Sequence, residues 1–407
     1  MAAKQKNRLT WSIVLISLAG VLIYAVSGAI RTNYGIMRGA ISEVTGVGYA
    51  DMSLILAFSQ LMYGLFQPIF GMLAIKRSNA FVLCLGAVLI IIGLIVIPMC
   101  GGMLMLMAFL GFIMPIGTAA LCYGMVMGTI SQALPKSYAA AVSGVLSAAN
   151  GIASSVMAPV IQRLIASRGI ASTMLILCIP TALVIPLAIW LAKKSAENAV
   201  EDATIDERPS MRTLLGEGFR NREYMHVALA FFTCGFHMTI IETHLYTQVV
   251  GYGIPEDTAA YGMTLYGMFA IAGALVIGAL CSKLKNKYVL GSLYASRPVM
   301  IILFLLMPKT VFSVFAFFAA LGFTGNSTVP PTSGILRQNF SPIKFATLYG
   351  ICMVFHQVGG FLSSWLGGLL VESTGSYNAI WLMGAALAAC ASVLAFTVHE
   401  EYPAAAA

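Results

Sequence analysis

The sequence predicts an all-α membrane protein: twelve transmembrane helices in two six-helix bundles related as a pseudo-repeat. Three observations lead there. The composition is too apolar for water, apolar runs of spanning length recur from end to end, and one charge-dense segment divides those runs into two sets of six. Of 407 residues, 59% are hydrophobic and 9% charged. A soluble domain carries about 25% charged residues and could not cover its surface with this composition.

Runs long enough for roughly 30 Å of hydrocarbon fall first at 11–37, 50–75, 79–99, 103–131, 138–166 and 170–192. The second set falls at 224–250, 258–282, 288–307, 310–337, 344–371 and 377–398. The first run is too long for a signal peptide and is followed by many others. Between the sets, 193–223 is dense in Lys, Arg, Asp and Glu and holds no apolar run. It is expected to be a solvated cytoplasmic linker joining an N-terminal bundle, 1–192, to a C-terminal bundle, 224–407.

The formal charge is +8, and its distribution sets orientation. Lys4, Lys6, Arg8, Lys76, Arg77, Lys136, the 193–222 stretch, Lys283, Lys285, Lys287, Arg337 and Lys344 all fall on the side that holds the N-terminus. Arg38, Arg168 and Lys309 are the clearest cations on the other. By the positive-inside rule both termini are expected to be cytoplasmic, and the expected membrane is the inner, plasma membrane. No basic stripe interleaved with aromatics remains for nucleic acid.

The eight cysteines are scattered singly and form no ligand spacing, so no metal, cofactor or disulfide framework is expected. A channel needs rings of like charge along a pore. An enzyme needs a nucleophile with a base or a metal cluster. Neither is written here.

An internal repeat is visible. Gly71-Met-Leu73-Ala-Ile-Lys76 is followed by Val82-Leu83, and Gly278-Ala-Leu280-Cys-Ser-Lys283 by Val289-Leu290, 207 positions later. Both copies lie between the second and third spans of their half, which marks Gly71, Lys76, Arg77, Gly278 and Lys283 as a gating motif. The fifth span carries Ser143, Ser147, Gly151 and Ser155 at four-residue spacing. The eleventh carries Gly359, Ser363 and Gly367 beside Gly360, Ser364 and Gly368. Such stripes let helix backbones approach, either as static packing or as a sliding surface.

These features resemble the major facilitator superfamily over essentially the whole chain. The loop after the second span, Gly71 to Asn79, is similar to the superfamily's G-x-L-a-D-r-x-G-r. Ile75 stands where the family usually has Asp and Ser78 where it has Gly, a departure from its cytoplasmic charge latch. Within the superfamily the monocarboxylate-porter-like branch, including oxalate/formate exchangers, looks most similar. The segments are Ser27 to Gly35, Gln67 to Gly71, Ala141 to Gly144, Cys234 to His237, Thr243-His244, Leu348 to Gly350, His356 to Gly359 and Thr374 to Tyr377. In the oxalate exchangers an anion-binding Lys aligns with His356 and an anion-binding Arg with Ala274, which argues against oxalate itself. Arg31 aligns with an aromatic cavity residue. The resemblance implies two bundles with a site between them and alternating access by rocking of the halves.

Ionisable side chains inside a bilayer are functional hypotheses by default. Six lie well within spans: Arg31, His237, Glu242, His244, Arg297 and His356. Glu242 is the only acid among them. Two guanidinium groups against one carboxylate point to an anionic substrate, because an Arg stays charged and its planar fork matches a carboxylate. Arg31, with Asn33 and Tyr34 after it, is the first choice for substrate contact; the alternative is snorkelling at the outer interface. Arg297 reads equally as a substrate contact, a structural ion pair or a cap on helix carbonyls. His356, near mid-span, binds anion or carries a proton, or is packing. His237 and His244, seven residues apart, share a helix face, too far apart for one metal. With Glu242 they read as cavity lining, a proton relay or packing.

The expected function is secondary active transport of a small organic anion of monocarboxylate type, by a monomer, with His356, Glu242 and His244 coupling protons. The rivals are a drug or metabolite exporter with an apolar cavity, which would keep binding hydrophobic cations without Arg31, and a transporter-like sensor that binds without flux.

Overall fold

The computed structural model describes residues 2–135, 138–199 and 209–400. The described elements are all helical. In chain order they begin with α1 (Ala2–Thr32), α2 (Tyr34–Thr45), α3 (Tyr49–Lys76) and α4 (Asn79–Val96). Then follow α5 (Met103–Leu106), a π-helical turn (Met107–Ile113), α6 (Met114–Ala120), α7 (Tyr123–Ser131) and α8 (Ala139–Glu197). After α9 (Met211–Arg220) come α10 (Arg222–Ile240), a π-helical turn (Ile241–Leu245), α11 (Tyr246–Gly251), α12 (Glu256–Cys281) and α13 (Asn286–Leu306). The chain closes with α14 (Val311–Gly325), a 3-10 turn (Asn326–Thr328), α15 (Val329–Asn339), α16 (Pro342–Thr374) and α17 (Asn378–Phe396).

Eleven of the described helical runs are long and apolar enough to cross a membrane. The longest, α8, has 59 residues and joins two helices across a kink at Gly169. The loop expected at 167–169 is reduced to one non-helical residue, Gly169, at φ 73° and ψ 170°. Only glycine holds that backbone without penalty.

The chain forms two compact units. The first comprises Met1–Pro135, Ala149–Leu214 and Ser341–Gly350; the second comprises Lys136–Ala148, Leu215–Phe340 and Ile351–Ala407.

Four expected spans are not continuous helices, and polar or proline chemistry sits at most of the breaks. The 11–37 run divides at Asn33 (φ −99°, ψ 11°). Its side-chain amide donates to the Ala29 carbonyl at 2.7 Å, while its own carbonyl accepts from Ile36 and Met37. The 103–131 run contains the π-helical turn, Pro115 in the first turn of α6, and a break at Leu121–Cys122. The seventh run passes through Ile241–Leu245. In the tenth, α14 ends at Gly325, and Pro330-Pro331 open α15 rather than kink a helix. Proline in the first helical turn loses no hydrogen bond that the helix would have made.

The 193–223 segment differs from a plain solvated linker. Helix α8 continues to Glu197, and α9 occupies 211–220 with Leu214 buried. Met211, Leu214, Leu215 and Phe219 fall on one helical face, and the Ser210 hydroxyl accepts from Thr213 N–H at 3.1 Å to start it. Too short to register as an apolar run, this helix is marked only by its periodicity. Lys136 and residues 200–208 lie outside the described residues. Arg337, counted as a loop cation, is buried near the end of α15.

Within the second unit, the small-residue stripe of the eleventh span is a packing surface against α10 and the turn that follows it. A β-carbon on Gly359 would stand 2.1 Å from the Phe232 carbonyl oxygen, and one on Gly360 2.5 Å from Thr239 Oγ1. One on Gly367 would stand 2.5 Å from His244 Nε2. From the other side, one on Gly235 would stand 1.8 Å from the His356 carbonyl oxygen. Backbones this close gain dispersion contacts that lipid cannot supply. The apolar core beside them includes Phe304 stacked on Phe317 (centroids 4.0 Å) with Trp381 edge-on at 5.2 Å. The Trp381 indole N–H donates to Gln248 Oε1 at 2.7 Å.

Candidate functional site

The first unit sets its candidate residues around the break at Asn33. Arg31 lies in the last turn of α1, and α2 carries the chain twelve residues beyond the break. The Arg31 side chain is therefore flanked by helix on both sides and is half-buried. It donates from Nη1 to Gln60 Oε1 at 3.0 Å and lies over the Tyr63 ring, 4.4 Å from the centroid. Both partners belong to α3, one turn apart. Aromatic rings continue from here: Tyr24 meets Tyr123 edge-on at 6.0 Å, and Tyr123 meets Tyr349 at 4.8 Å. Tyr123 opens α7 directly after the Leu121–Cys122 break. Tyr34 is buried, and among the described residues its hydroxyl has no hydrogen-bond partner.

The second unit builds its cluster around the break after α14. Arg297 is 1% exposed. Its Nη2 donates to the carbonyl oxygens of Thr324 (2.8 Å) and Gly325 (3.1 Å), and its guanidinium lies 5.2 Å from the centre of the Tyr294 ring. A helix C-terminus leaves carbonyls without intrahelical partners and carries the negative end of the dipole. The buried cation meets both needs. Of the roles read from the sequence for Arg297, the cap on helix carbonyls is the one that the geometry displays.

His356 is half-buried, with Nδ1 3.1 Å from Gln357 Oε1 and its ring 5.1 Å from Phe231. The Cys234 thiol is a close neighbour, and Cys234 Sγ lies 3.1 Å from Thr328 Oγ1 in the 3-10 turn. His356, Cys234 and Thr328 thus gather α16, α10 and the broken tenth span around one cluster. Cys234 and Thr328 were not singled out from the sequence. A lone Cys and a lone Thr in apolar runs carry no spacing signal, and only the fold brings them to the histidine.

His237 is buried, with Nδ1 2.9 Å from the Thr233 carbonyl. A carbonyl only accepts, so Nδ1 carries the proton and Nε2 presents a lone pair. Among the described residues Nε2 has no partner. His244 Nε2 lies 3.2 Å from the Ser364 carbonyl, and its ring is 6.0 Å from Tyr377. Glu242 is exposed in the π-helical turn between the two histidines. The extra residue of such a turn shifts helical register. Two helical turns of regular helix, on which the shared face of His237 and His244 was argued, are therefore not what separates them.

The gating-motif residues divide by environment. Gly71 is buried, and a β-carbon there would stand 2.5 Å from Thr347 Cα. One on Gly278 would stand 2.8 Å from Gly144 Cα. Lys76 closes α3, Arg77 and Lys283 follow the ends of α3 and α12, and all three are exposed. Ile75, in the place of the family's Asp, is buried and lines a cavity of about 200 Å³ with Pro342 and Ile343. A buried apolar side chain occupies the place of the family's Asp. No group of three or more metal-ligating side chains occurs among the described residues.

The Major Facilitator Superfamily profile matches residues 20–307 and 251–407. An uncharacterized MFS-type transporter of Bacillus subtilis (strain 168), YcxA, is 25% identical over 342 residues, covering 81% of this chain and 82% of that one. Among solved structures, FucP in its outward conformation has a TM-score of 0.74 at 15% identity, covering 96% of this chain and all of that one. A structure of the E. coli fucose:proton symporter FucP reaches 0.75 at 16%, with the same coverage. The proton:xylose symporter XylE, bound to 6-bromo-6-deoxy-D-glucose, reaches 0.70 at 14%, covering 94% and 95%. At these identities the solved structures speak for the fold alone, and the profile speaks for the family. The chain belongs to the Major Facilitator Superfamily and is a multi-pass membrane transporter, not an enzyme.

Proposed function

We propose that this transporter moves a small organic anion, monocarboxylate-like, by proton-coupled alternating access, and that Arg31 makes the principal contact with the anion. The observation that carries the reading is the charge inventory of the spans taken with the two guanidinium environments. Glu242 is the only carboxylate away from span ends. Arg297 has backbone carbonyls around it. Arg31 is half-buried at a helix break, held by the neutral Gln60 and the Tyr63 face. A guanidinium's planar fork matches a carboxylate, and an amide and an aromatic face orient it without adding charge.

Asn33, Tyr34, His237 and His356 are proposed as the remaining substrate-side groups, with Arg297 acting through the α14 end that it holds. His356, Glu242 and His244 are proposed for proton coupling. The neighbours of similar fold include fucose:proton and proton:xylose symporters, and coupling is carried over from them as part of the proposal. Gly71, Lys76, Arg77, Gly278 and Lys283 are proposed for gating.

The architecture belonging to this reading has twelve spans, α8 counting as two at Gly169, in two six-helix bundles related as a pseudo-repeat. The bundles are 1–192 and 224–407, with 193–223 between them. Glycine contacts support the repeat. The Gly71–Thr347 approach has its counterpart in Gly278, where a β-carbon would stand 3.4 Å from the Ala140 carbonyl oxygen. The same offset of 207 relates 71 to 278 and 140 to 347. The helix breaks support it too, Asn33 and Ile241 standing at nearly that offset. A monomer in the inner membrane, with both termini cytoplasmic, completes the proposal.

The test is a thermal-shift screen of purified protein with small carboxylates, amines and neutral sugars, since a ligand stabilises by mass action. Carboxylates should raise melting in the wild type and not in Arg31→Ala. Stabilisation by amines or sugars, with none by acids, would overturn the anion reading.

A further inference from the structure

A groove of about 560 Å³ opens in the second unit between α12, α13 and α14, a volume within the ligand-pocket range. Its walls are apolar, and Ser292, Ser296, Ala319 and Ala320 leave the space that larger side chains would fill. Along α13 the lining runs from Tyr288 to Met300, about 18 Å at 1.5 Å per residue. That is close to the depth of one leaflet, half of roughly 30 Å.

The two ends differ. The Tyr288 end adjoins Lys283, Lys285 and Lys287, three cations in five residues with no acid between residues 258 and 371. Lys283 is exposed, Lys285 and Lys287 are half-buried, and Lys287 Nζ lies 5.2 Å from the centre of the Tyr288 ring. Tyrosine beside lysines marks the headgroup level of a membrane protein. The nearby carboxylate of Glu400 is buried and engaged: it accepts from Asn286 Nδ2 at 2.6 Å and Lys287 N–H at 2.8 Å, closing the N-terminus of α13. This contact fixes the backbone that presents the lysines.

We propose that the groove is a binding site for one anionic phospholipid, an acyl chain lying along α13 and the phosphate meeting Lys285 and Lys287. Charge complementarity selects this occupant. The apolar channel alone would accept any acyl chain, and basic residues at its mouth favour an anionic headgroup over a zwitterionic one. The site is independent of the transported solute.

The experiment uses the full chain in detergent, with phosphatidylglycerol and phosphatidylcholine as probes, reading bound lipid by native mass spectrometry and melting temperature in parallel. Wild type should retain phosphatidylglycerol in preference to phosphatidylcholine. Lys285→Gln/Lys287→Gln should weaken phosphatidylglycerol about tenfold or more and phosphatidylcholine by less, removing the preference. Ser292→Phe, at an exposed position facing the groove, should reduce both lipids, with Ser292→Leu as the second variant if the first misfolds. Equal retention of the two lipids by wild type overturns the proposal. So does a lysine variant that keeps the preference, a stable groove-filling variant that binds as wild type does, or a melting shift by inorganic phosphate matching that of phosphatidylglycerol.

Discussion

Arg297 donates to the carbonyl oxygen of Thr324 at 2.8 Å, across from α13 to the end of α14, and takes the Gly325 carbonyl with the same nitrogen. The cation closes the helix end together with the Thr328 hydroxyl, which donates to the Gly325 carbonyl at 3.4 Å. Arg297→Ala is expected to remove the cation from two buried carbonyls, Gly325 keeping the Thr328 hydroxyl, and to lower stability by roughly 2 kcal/mol. Arg297→Lys should recover part of this, because an ammonium reaches a carbonyl but lacks the planar fork. Thermal melting in detergent checks both. Equal melting of wild type and Arg297→Ala would remove the capping role.

Gly235 and Gly359 test the packing of α10 on α16. With a β-carbon on Gly235 1.8 Å from the His356 carbonyl oxygen, and one on Gly359 2.1 Å from that of Phe232, substitution meets backbone, which cannot rotate away. Gly235→Val and Gly359→Val should give little folded protein by size-exclusion fluorescence. Gly39, in α2, has open space around it, and Gly39→Ala should fold as wild type or slightly better. Normal yields of Gly235→Val would contradict the close crossing.

Arg31 and its α3 partners should separate by transport kinetics. Arg31→Ala is expected to lower carboxylate uptake by about a hundredfold or more, in line with loss of a charge-assisted fork and of orientation. Arg31→Lys should keep a measurable fraction. Gln60→Ala and Tyr63→Leu should cost about fivefold each, as groups that aim the guanidinium rather than meet the substrate. A Gln60 variant as impaired as Arg31→Ala would shift the principal contact to Gln60.

Proton coupling should be separable from exchange. With the neighbouring His356 and Cys234 side chains proposed to lie on the proton route, His356→Gln is expected to abolish accumulation driven by an external acid pH while solute counterflow persists. Glu242→Gln should act in the same direction. Unchanged pH-driven accumulation in both variants would assign coupling elsewhere or show that the transporter is an exchanger.

Much of this was legible in the sequence, for a physical reason. Hydrocarbon demands long apolar runs, so span positions and the stripe at Gly359, Ser363 and Gly367 stand out against any background. Breaks were harder to see. Nothing in the run 11–37 announces Asn33 as a helix end, because its side-chain bond to the Ala29 carbonyl depends on local geometry. The π-helical turn at Ile241–Leu245 was likewise silent, and with it failed the simple shared-face argument for His237 and His244. Arg297 illustrates the same limit from the other side. Its charge was conspicuous, but only the structure places the ends of α14 within its reach. Cys234 and Thr328 became candidates through their neighbours alone.

The most direct test of the central claim is solute flux in proteoliposomes holding the purified chain, with radiolabelled monocarboxylates offered under an inward proton gradient. The account predicts saturable accumulation of a carboxylate by wild type, collapsed by a protonophore and absent in Arg31→Ala despite normal folding. Carboxylate flux that survives in folded Arg31→Ala, or flux of amines or sugars with none of acids, would contradict it.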